Sequence, residues 1–512
     1  MMWLAVHFPN LALEIFGFHQ LDTPAVVLED QKIHSLNEPA RQMSIIAGST
    51  LATAHSICPG IVHAQRDTEL EQQRLTRLAE ILYGFSAQVS LEKPQGVVLE
   101  IGGSLKLFGN HKTLSQKAQA ICRELGHDNQ ASAATTPRAA IALSRAPSTS
   151  KTWGMQAIRQ VPLQSAGLEL AGVDKQVIER LSNMGIQSLG PLLDLPASQL
   201  GKRFGKHLLA YIAQLKGDLP DPRINITPAV TFDGSLHLLQ PLNNIQDLLE
   251  RPGSPMQKLL RDLEAWLIAQ QLGCEQLNWV FSGQPSPNTS QPDTGKICMP
   301  INFARARQQH QDMLRICHLK MEQIQLPDDV MSVSLQTPGL QAWNNQSDAL
   351  FNTGMENAQH NTQQLEDLID ELHARLGDGV CSQLQTADQH IPENAWRAIT
   401  PTQRKQANSK PIPSGTPNTK TSPSSGQTQT TTTCGKKRPL WLFNVPQPVS
   451  AKELKLLHGP ERIQTQWWSP SHNTHTLSSV YRDYYIARHR QGLECWAFMD
   501  SQNQWYLHGY FG

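Results

Sequence analysis

At 512 residues the chain exceeds what one hydrophobic core supports, since single cores stop growing near ~250–300 residues, so several domains are expected. Lys plus Arg (44) balances Asp plus Glu (44), which excludes a global field steering the protein to nucleic acid; any such contact has to be local. Eight cysteines with no C-x-x-C pair argue against a zinc ribbon or a disulfide frame, and the apolar start is interrupted by His7, Pro9, Asn10 and Glu14 far below the ~20 residues of a membrane span. The expectation is a cytoplasmic protein with no membrane segment.

In chain order, residues 1–160 alternate strand-like runs, Leu4–Val6, Ala25–Leu28 and Gly96–Ile101, with a helical stripe of Leu70, Leu75, Leu78, Ile81, Leu82 and Phe85. This pattern predicts an α+β domain. Residues 166–222 turn wholly helical, with Leu200, Phe204, Leu208, Tyr211 and Leu215 stepping by three or four. Residues 230–340 return to mixed character, with a helix through Leu259, Leu263 and Leu267 and strands over Gln276–Phe281 and Met331–Leu335. A connecting region, 341–400, leads to residues 401–435, which are almost entirely Pro, Ser, Thr, Gln, Asn, Lys and Gly. That composition cannot bury enough apolar surface to offset its ordering entropy and predicts a flexible linker. Residues 436–512 are dense in aromatics, among them Trp441, Phe443, Tyr484, Trp496, Phe498 and Tyr506, and predict a small ordered module. The fold class is therefore α+β and multidomain.

Val177–Leu193 holds the clearest nucleic-acid signal. A first helix is expected to stop at Asn183, a turn to pivot on Gly185, and a second helix to begin with Ser188 as its cap. Met184, Gly185, Ile186 and Ser188 then form a helix-hairpin-helix turn. Glycine permits close backbone approach and positive φ, and free amides at the next helix start can hold a phosphate oxygen without reading sequence. An ordinary αα-corner with Gly185 as the C-cap is the alternative. Farther on, Arg305, Arg307 and Arg315 offer either a local phosphate contact or a solvated helix face. The eight Lys and Arg against eleven Asp and Glu of residues 230–340 suit a modest, salt-sensitive affinity.

Several runs resemble the Y-family (UmuC-like) translesion polymerases, and among them the inactive members of mutasomes. They are the opening Trp3-Leu4-Ala5-Val6-His7-Phe8-Pro9, the stretches Ile101–Gly109 and Thr136–Ala140, the hairpin segment around Met184-Gly185-Ile186, Asp388–Trp396, Tyr481–Tyr485 and Trp505–Gly509. The resemblance implies a polymerase-like right hand: palm and fingers over 1–160, a thumb over 166–222 and a little finger over 230–340. Active members are expected to carry Asp-x-Asp in the first strand and Asp-Glu in its partner. These acids hold two magnesium ions that activate the primer hydroxyl and neutralise the triphosphate. Here His7 and Pro9 stand where the first pair would be, and Gln95 and Gly96 where the second would be. Proline and glycine bring no side-chain ligand, and glutamine is a poor one for magnesium. Glu14 and Glu100 are expected not to rebuild the centre, Glu100 having the opposite strand parity from Gln95. No catalytic residue, metal, cofactor or nucleotidyl transfer is therefore expected. An active Y-family polymerase is the rival reading, and a purely DNA-binding helix-hairpin-helix protein a third.

Gln346-Ser347-Asp348-Ala349-Leu350-Phe351 resembles the bacterial sliding-clamp-binding peptide, with Gln346, Asp348, Leu350 and Phe351 as its contacts; a chance Leu-Phe packing on its own domain is the alternative. Arg438–Phe443 carries similar anchors but reads as the first core strand of the aromatic module. By resemblance that module would meet the RecA-like ImuA and an ImuC/DnaE-type error-prone polymerase, with aromatic stacking on single-stranded DNA as the competing idea. His472 and His475 read as a loop rather than a metal site. The expected function is a non-catalytic adaptor of translesion synthesis that touches damaged or primed DNA, binds the β sliding clamp and recruits a DnaE-type polymerase.

Overall fold

The computed structural model describes residues 1–147, 154–283, 295–327, 329–343, 356–377, 379–387, 392–399, 438–465 and 480–511. The peptide Gln346–Phe351, the whole interval 401–437 that contains the linker, and His472 with His475 lie outside the described residues. The chain divides into two compact units, Met1–Arg375 and Leu376–Gly512.

The first unit opens with β1 (Trp3–His7), α1 (Leu11–Glu14), β2 (Ala25–Glu29), β3 (Lys32–Leu36), α2 (Glu38–Gln42), α3 (Leu51–Ile57), β4 (Val62–Gln65) and α4 (Thr68–Leu82). Then come β5 (Val89–Glu92), β6 (Gly96–Glu100), α5 (Leu105–Phe108), α6 (His111–Glu124), β7 (Gln130–Ala134) and α7 (Pro137–Arg145). An antiparallel sheet of order β5-β6-β1-β7 stands beside a smaller one of order β3-β2-β4. Leu4-Ala5-Val6 is a continuous apolar run because β1 is central and covered on both faces. Leu4 and Val6 join Leu75, Leu78 and Leu82 of α4, while Ala5 joins Ala139 and Ala140 of α7. The helix starts are capped locally: Asp67 accepts from the amides of Glu69 and Leu70, Asn110 from Thr113, and Thr136 from Ala139 with Pro137 in the first turn.

Five helices follow: α8 (Met155–Gln160), α9 (Lys175–Asn183), α10 (Leu189–Leu193), α11 (Ala197–Phe204) and α12 (Lys206–Lys216). The stripe from Leu200 to Leu215 is interrupted at Gly205, whose φ of 86° is open to glycine, and both halves still bury their leucines. Tyr211 is buried among them and its hydroxyl donates to the Ala166 carbonyl at 2.7 Å. Tyr211→Phe leaves that carbonyl unpaired; a stability loss of about 1–2 kcal/mol in denaturant titration is expected, with the fold retained.

The next elements are β8 (Asp233–Leu242), a π-helical turn at Gln246–Glu250, α13 (Pro255–Gln270), β9 (Leu272–Gly283), β10 (Lys296–Arg307), α14 (His310–Met321) and β11 (Val330–Ala342). The sheet order is β10-β9-β11-β8, and its core holds Trp266, Trp279, Phe281 and Phe303. Trp266 Nε1 donates to Glu80 of α4 at 3.1 Å, fastening α13 to the preceding elements. The last helix of this unit, α15 (Glu356–Leu376), corrects the reading of the three arginines. Arg307 is buried against Asp370 and bonds Asp367 at 2.8 Å, Arg305 bonds Asp367 at 3.2 Å, and Arg315 pairs with Glu371 at 2.8 Å. Only Arg307 is withdrawn from solvent, because a buried guanidinium requires a paired carboxylate and α15 supplies it from ~60 residues away; Arg305 is half-buried and Arg315 stays exposed on its helix face, each paired with an acid of α15.

The second unit holds a hairpin, β12 (Gln383–Thr386) and β13 (Trp396–Ile399), and a five-stranded antiparallel sheet of order β14-β18-β17-β16-β15. Its strands are β14 (Trp441–Pro448), β15 (Leu454–Thr465), β16 (Val480–His489), β17 (Glu494–Asp500) and β18 (Trp505–Tyr510). Tyr484 stacks on Trp496 with centroids 4.0 Å apart, Phe498 adjoins them, and Arg482 lies 4.5 Å over Phe498. These rings are the core of their own unit rather than a platform for bases. The Arg438–Phe443 reading is corrected in part. Trp441 opens a strand and Phe443 packs on Tyr510, but Leu440 is 82% and Trp441 75% exposed, since they sit at the start of an edge strand that nothing covers among the described residues. Gly509 permits the close approach of β14, because a Cβ there would meet the Trp441 carbonyl. No helix among the described residues is long and apolar enough to cross a membrane.

Candidate functional site

The pairing of β1 with β6 sets His7 opposite Gly96, so the four residues singled out at these strand ends do converge. Phe8 N–H donates to the Gln95 carbonyl at 2.8 Å, and His7 Nδ1 lies 3.1 Å from the same oxygen. A carbonyl can only accept, so Nδ1 carries the proton. Burial, with the Arg145 charge adding to it, holds the His7 imidazole down to about 4, and the ring is neutral at pH 7. Pro9 lies exposed just beyond β1 and Gln95 is half-buried. A Cβ on Gly96 would approach the Glu92 carbonyl to 3.1 Å, which keeps the turn between β5 and β6 close.

The nearby acids are engaged elsewhere. Glu100 faces Trp3 at the opposite end of the ladder, roughly 13 Å along the strand from Gly96, and accepts from the Gly102 amide at 3.0 Å. Glu14 takes part in a buried chain: it accepts from the Asp128 amide at 2.8 Å and from His127 Nδ1 at 2.6 Å, while Arg74 Nε–H donates to His127 Nε2 at 2.6 Å and its fork pairs with Asp262. Both Glu14 oxygens therefore accept when the chain is complete. Burial, with the Asp128 charge adding to it and the Asp128 amide and Arg74 opposing it, pushes its carboxyl up to about 8, and taking up that proton sets a second donor against His127 Nδ1. Glu92, which sequence reading passed over, is the Cα partner of Gly96 in β5; it is held by Arg138 and Arg223, which also share Asp221. Its only sequence signal is its place at the strand end preceding Gln95. Among the described residues no group of three or more His, Cys, Asp or Glu is placed to hold a metal ion. An imidazole donating its Nδ1 proton, a proline, an amide and a glycine do not fit a pair of magnesium ions.

In the hairpin segment α9 ends at Asn183, Gly185 has φ 83°, and Ser188 occupies the N-cap of α10 without a side-chain capping bond. Met184 is half-exposed, whereas Ile186 is buried beside Leu181 and Leu189 and can act only as support for the turn. The Leu189 amide, one of those expected to be free, donates to the Val161 carbonyl at 2.9 Å. The backbone geometry is compatible with either a hairpin motif or a plain corner.

Residues 19–145 match the impB/mucB/samB family. This segment takes in β2 through α7 and so most of the sheet that carries the strand ends described above. Along its length the chain is similar to the protein ImuB of Caulobacter vibrioides strain NA1000, 23% identical over 503 residues, 92% of this chain and 100% of the relative. It is also 29% identical over 173 residues to DNA polymerase IV of Dehalococcoides mccartyi strain CBDB1, covering 33% of this chain and 44% of that one. Two solved structures overlap it: an insertion ternary complex of Dbh DNA polymerase (13% identity, TM-score 0.37) and DinB from Sulfolobus solfataricus (14%, TM-score 0.35), each over 66% of this chain and 98% of theirs. The chain is thus similar to ImuB along nearly its whole length, and its described fold is α+β and multidomain.

Proposed function

We propose that the chain is a non-catalytic adaptor in translesion DNA synthesis and damage-induced mutagenesis. The observation that carries this reading is the shared end of β1 and β6, where a neutral His7 donates to Gln95 beside Pro9 and Gly96, a set of four residues that supplies no carboxylate for magnesium. On this reading residues 1–160 are a palm with fingers, 166–222 a thumb and 230–340 a little finger, and Met184, Gly185 and Ser188 approach the DNA backbone over a buried Ile186. Gln346, Asp348, Leu350 and Phe351, in the region 341–400, bind the β sliding clamp. The linker 401–435 carries the module 436–512 to ImuA and an ImuC/DnaE-type polymerase. The protein then works in the cytoplasm and joins the nucleoid on damage.

Two assays test the reading. The purified protein is expected to extend no primer with magnesium or manganese; extension that is lost on changing Glu14 or Glu92 would overturn it. Changing Gln346, Leu350 and Phe351 together to Ala is expected to weaken clamp binding by roughly 100-fold or more, as loss of clustered anchors does, with DNA binding unchanged. Equal retention of parent and variant on immobilised clamp would rule out the peptide.

A further inference from the structure

The geometry points to a second binding surface, far from the β1–β6 strand ends in function: a cleft on the open edge of β7 that takes an extended acidic peptide as an added strand. Hydrogen-bond alternation shows which groups are available. Phe8 N–H and the Met2 carbonyl are both used toward the β6 side, so the even-numbered residues of β1 face β6 and the odd-numbered Trp3, Ala5 and His7 face β7. Their partners are Ala134, Ser132 and Gln130. Ala131 and Ala133 consequently turn their N–H and C=O groups the other way, to the edge where β7 has no neighbour among the described residues.

That edge forms the floor of a cleft of about 510 Å³. One wall is a stripe of α6, Lys112, Gln116, Gln119 and Arg123, at helical spacing; the other includes Ala157 and Gln160 of α8. Lys112, Gln116 and Arg123 are exposed, and no carboxylate lines the cleft among the described residues. From Lys112 to Arg123 the helix rises by roughly 16 Å, the length of about five extended residues. The backbone edge calls for a strand, the alanines leave it room, and the two cations call for acids about four or five residues apart on it. The occupant is a segment of a partner protein with that spacing. A nucleic-acid strand would find the charges, and its phosphates accept from N–H groups, but it brings no regularly spaced backbone donors for the outward carbonyls of Ala131 and Ala133, which an added peptide strand satisfies together with their N–H groups.

The test uses the full chain and a fluorescein-labelled peptide Gly-Asp-Val-Thr-Val-Asp-Gly, followed by anisotropy. Saturable binding is expected, weakened at least tenfold by the surface reversal Lys112→Glu with Arg123→Glu. It should weaken similarly with Ala131→Pro, which deletes an outward N–H and spares the ladder to β1. Peptide addition should slow amide exchange at Ala131 and Ala133, and the same peptide with Lys for Asp should not bind. The proposal is overturned by no peptide binding, by equal binding to the reversed variant, or by an oligothymidylate that displaces the peptide. If Ala131→Pro fails to fold, the charge reversal and the exchange measurement decide.

Discussion

Arg307→Ala is expected to lower the stability of the first unit by about 3–5 kcal/mol in denaturant titration and to release α15 from β10 and α14. The size follows from what is left behind rather than from the bond removed. Arg307 is 2% and Asp370 1% exposed, so the variant strands a carboxylate in a site sealed from water. In the native protein burial pulls the Asp370 carboxyl up, while the Ala304 amide and Arg307 pull it down. Without Arg307 only the amide opposes burial, and Asp370 binds a proton more tightly in the folded chain than in the unfolded one. By linkage the deficit then grows as pH rises and shrinks as pH falls, the reverse of a salt-bridged carboxylate. Arg307→Met with Asp370→Leu should recover most of the loss, since replacing both members of a buried pair with apolar groups of similar volume is often near neutral. Hydrogen exchange across Glu356–Leu376 reports the release directly. A loss below ~1 kcal/mol for Arg307→Ala would mean that the pair does not hold the helix.

The contrast between Arg307 and His7 shows what was legible in the sequence. β1, β6 and the end of α9 were readable because their signals are local: an apolar run, a glycine in a turn, a serine before a helix. The convergence of His7 and Gly96 was also foreseen, through a resemblance that supplied the pairing. Arg305, Arg307 and Arg315 were ambiguous because their partners lie on α15, where Asp367, Asp370 and Glu371 look like the polar face of a free helix until a second surface is present. Glu92 escaped notice for the same reason, since Arg138, Asp221 and Arg223 come to it from elements 46 to 131 residues away. Leu440 and Trp441 show the opposite failure. High strand propensity placed them in a core, but propensity does not distinguish an edge from a centre.

Acidification is expected to destabilise the β1–β6 strand end through His7. The ring is held at about 4 in the folded protein against 6.5 unfolded, so the neutral form is favoured by folding. Its contribution is fully present above pH 6.5 and is lost as pH falls toward 4, because each proton then taken up by the unfolded chain has no counterpart in the folded one. At ~1.4 kcal/mol per pH unit this sets a ceiling of roughly 3 kcal/mol, read as the difference between parent and His7→Gln in denaturation midpoints across that range. His7→Gln keeps an N–H that can reach the Gln95 carbonyl but cannot titrate there, so its acid limb should be flatter. Parallel limbs would remove His7 as the source. The substitution that matters for function has the opposite sign. His7→Asp places a carboxylate against the Gln95 carbonyl, acceptor facing acceptor, in a site that is 9% exposed. Arg145 offsets part of this, and a loss of about 1–3 kcal/mol at neutral pH is expected, recovered on acidification as the Asp gains a proton to donate. A strand end tuned to a neutral donor therefore resists the return of a single metal-binding acid. With Pro9, Gln95 and Gly96 unchanged, His7→Asp is expected to add no primer extension, and extension by that single variant would show that the other acids needed were present all along.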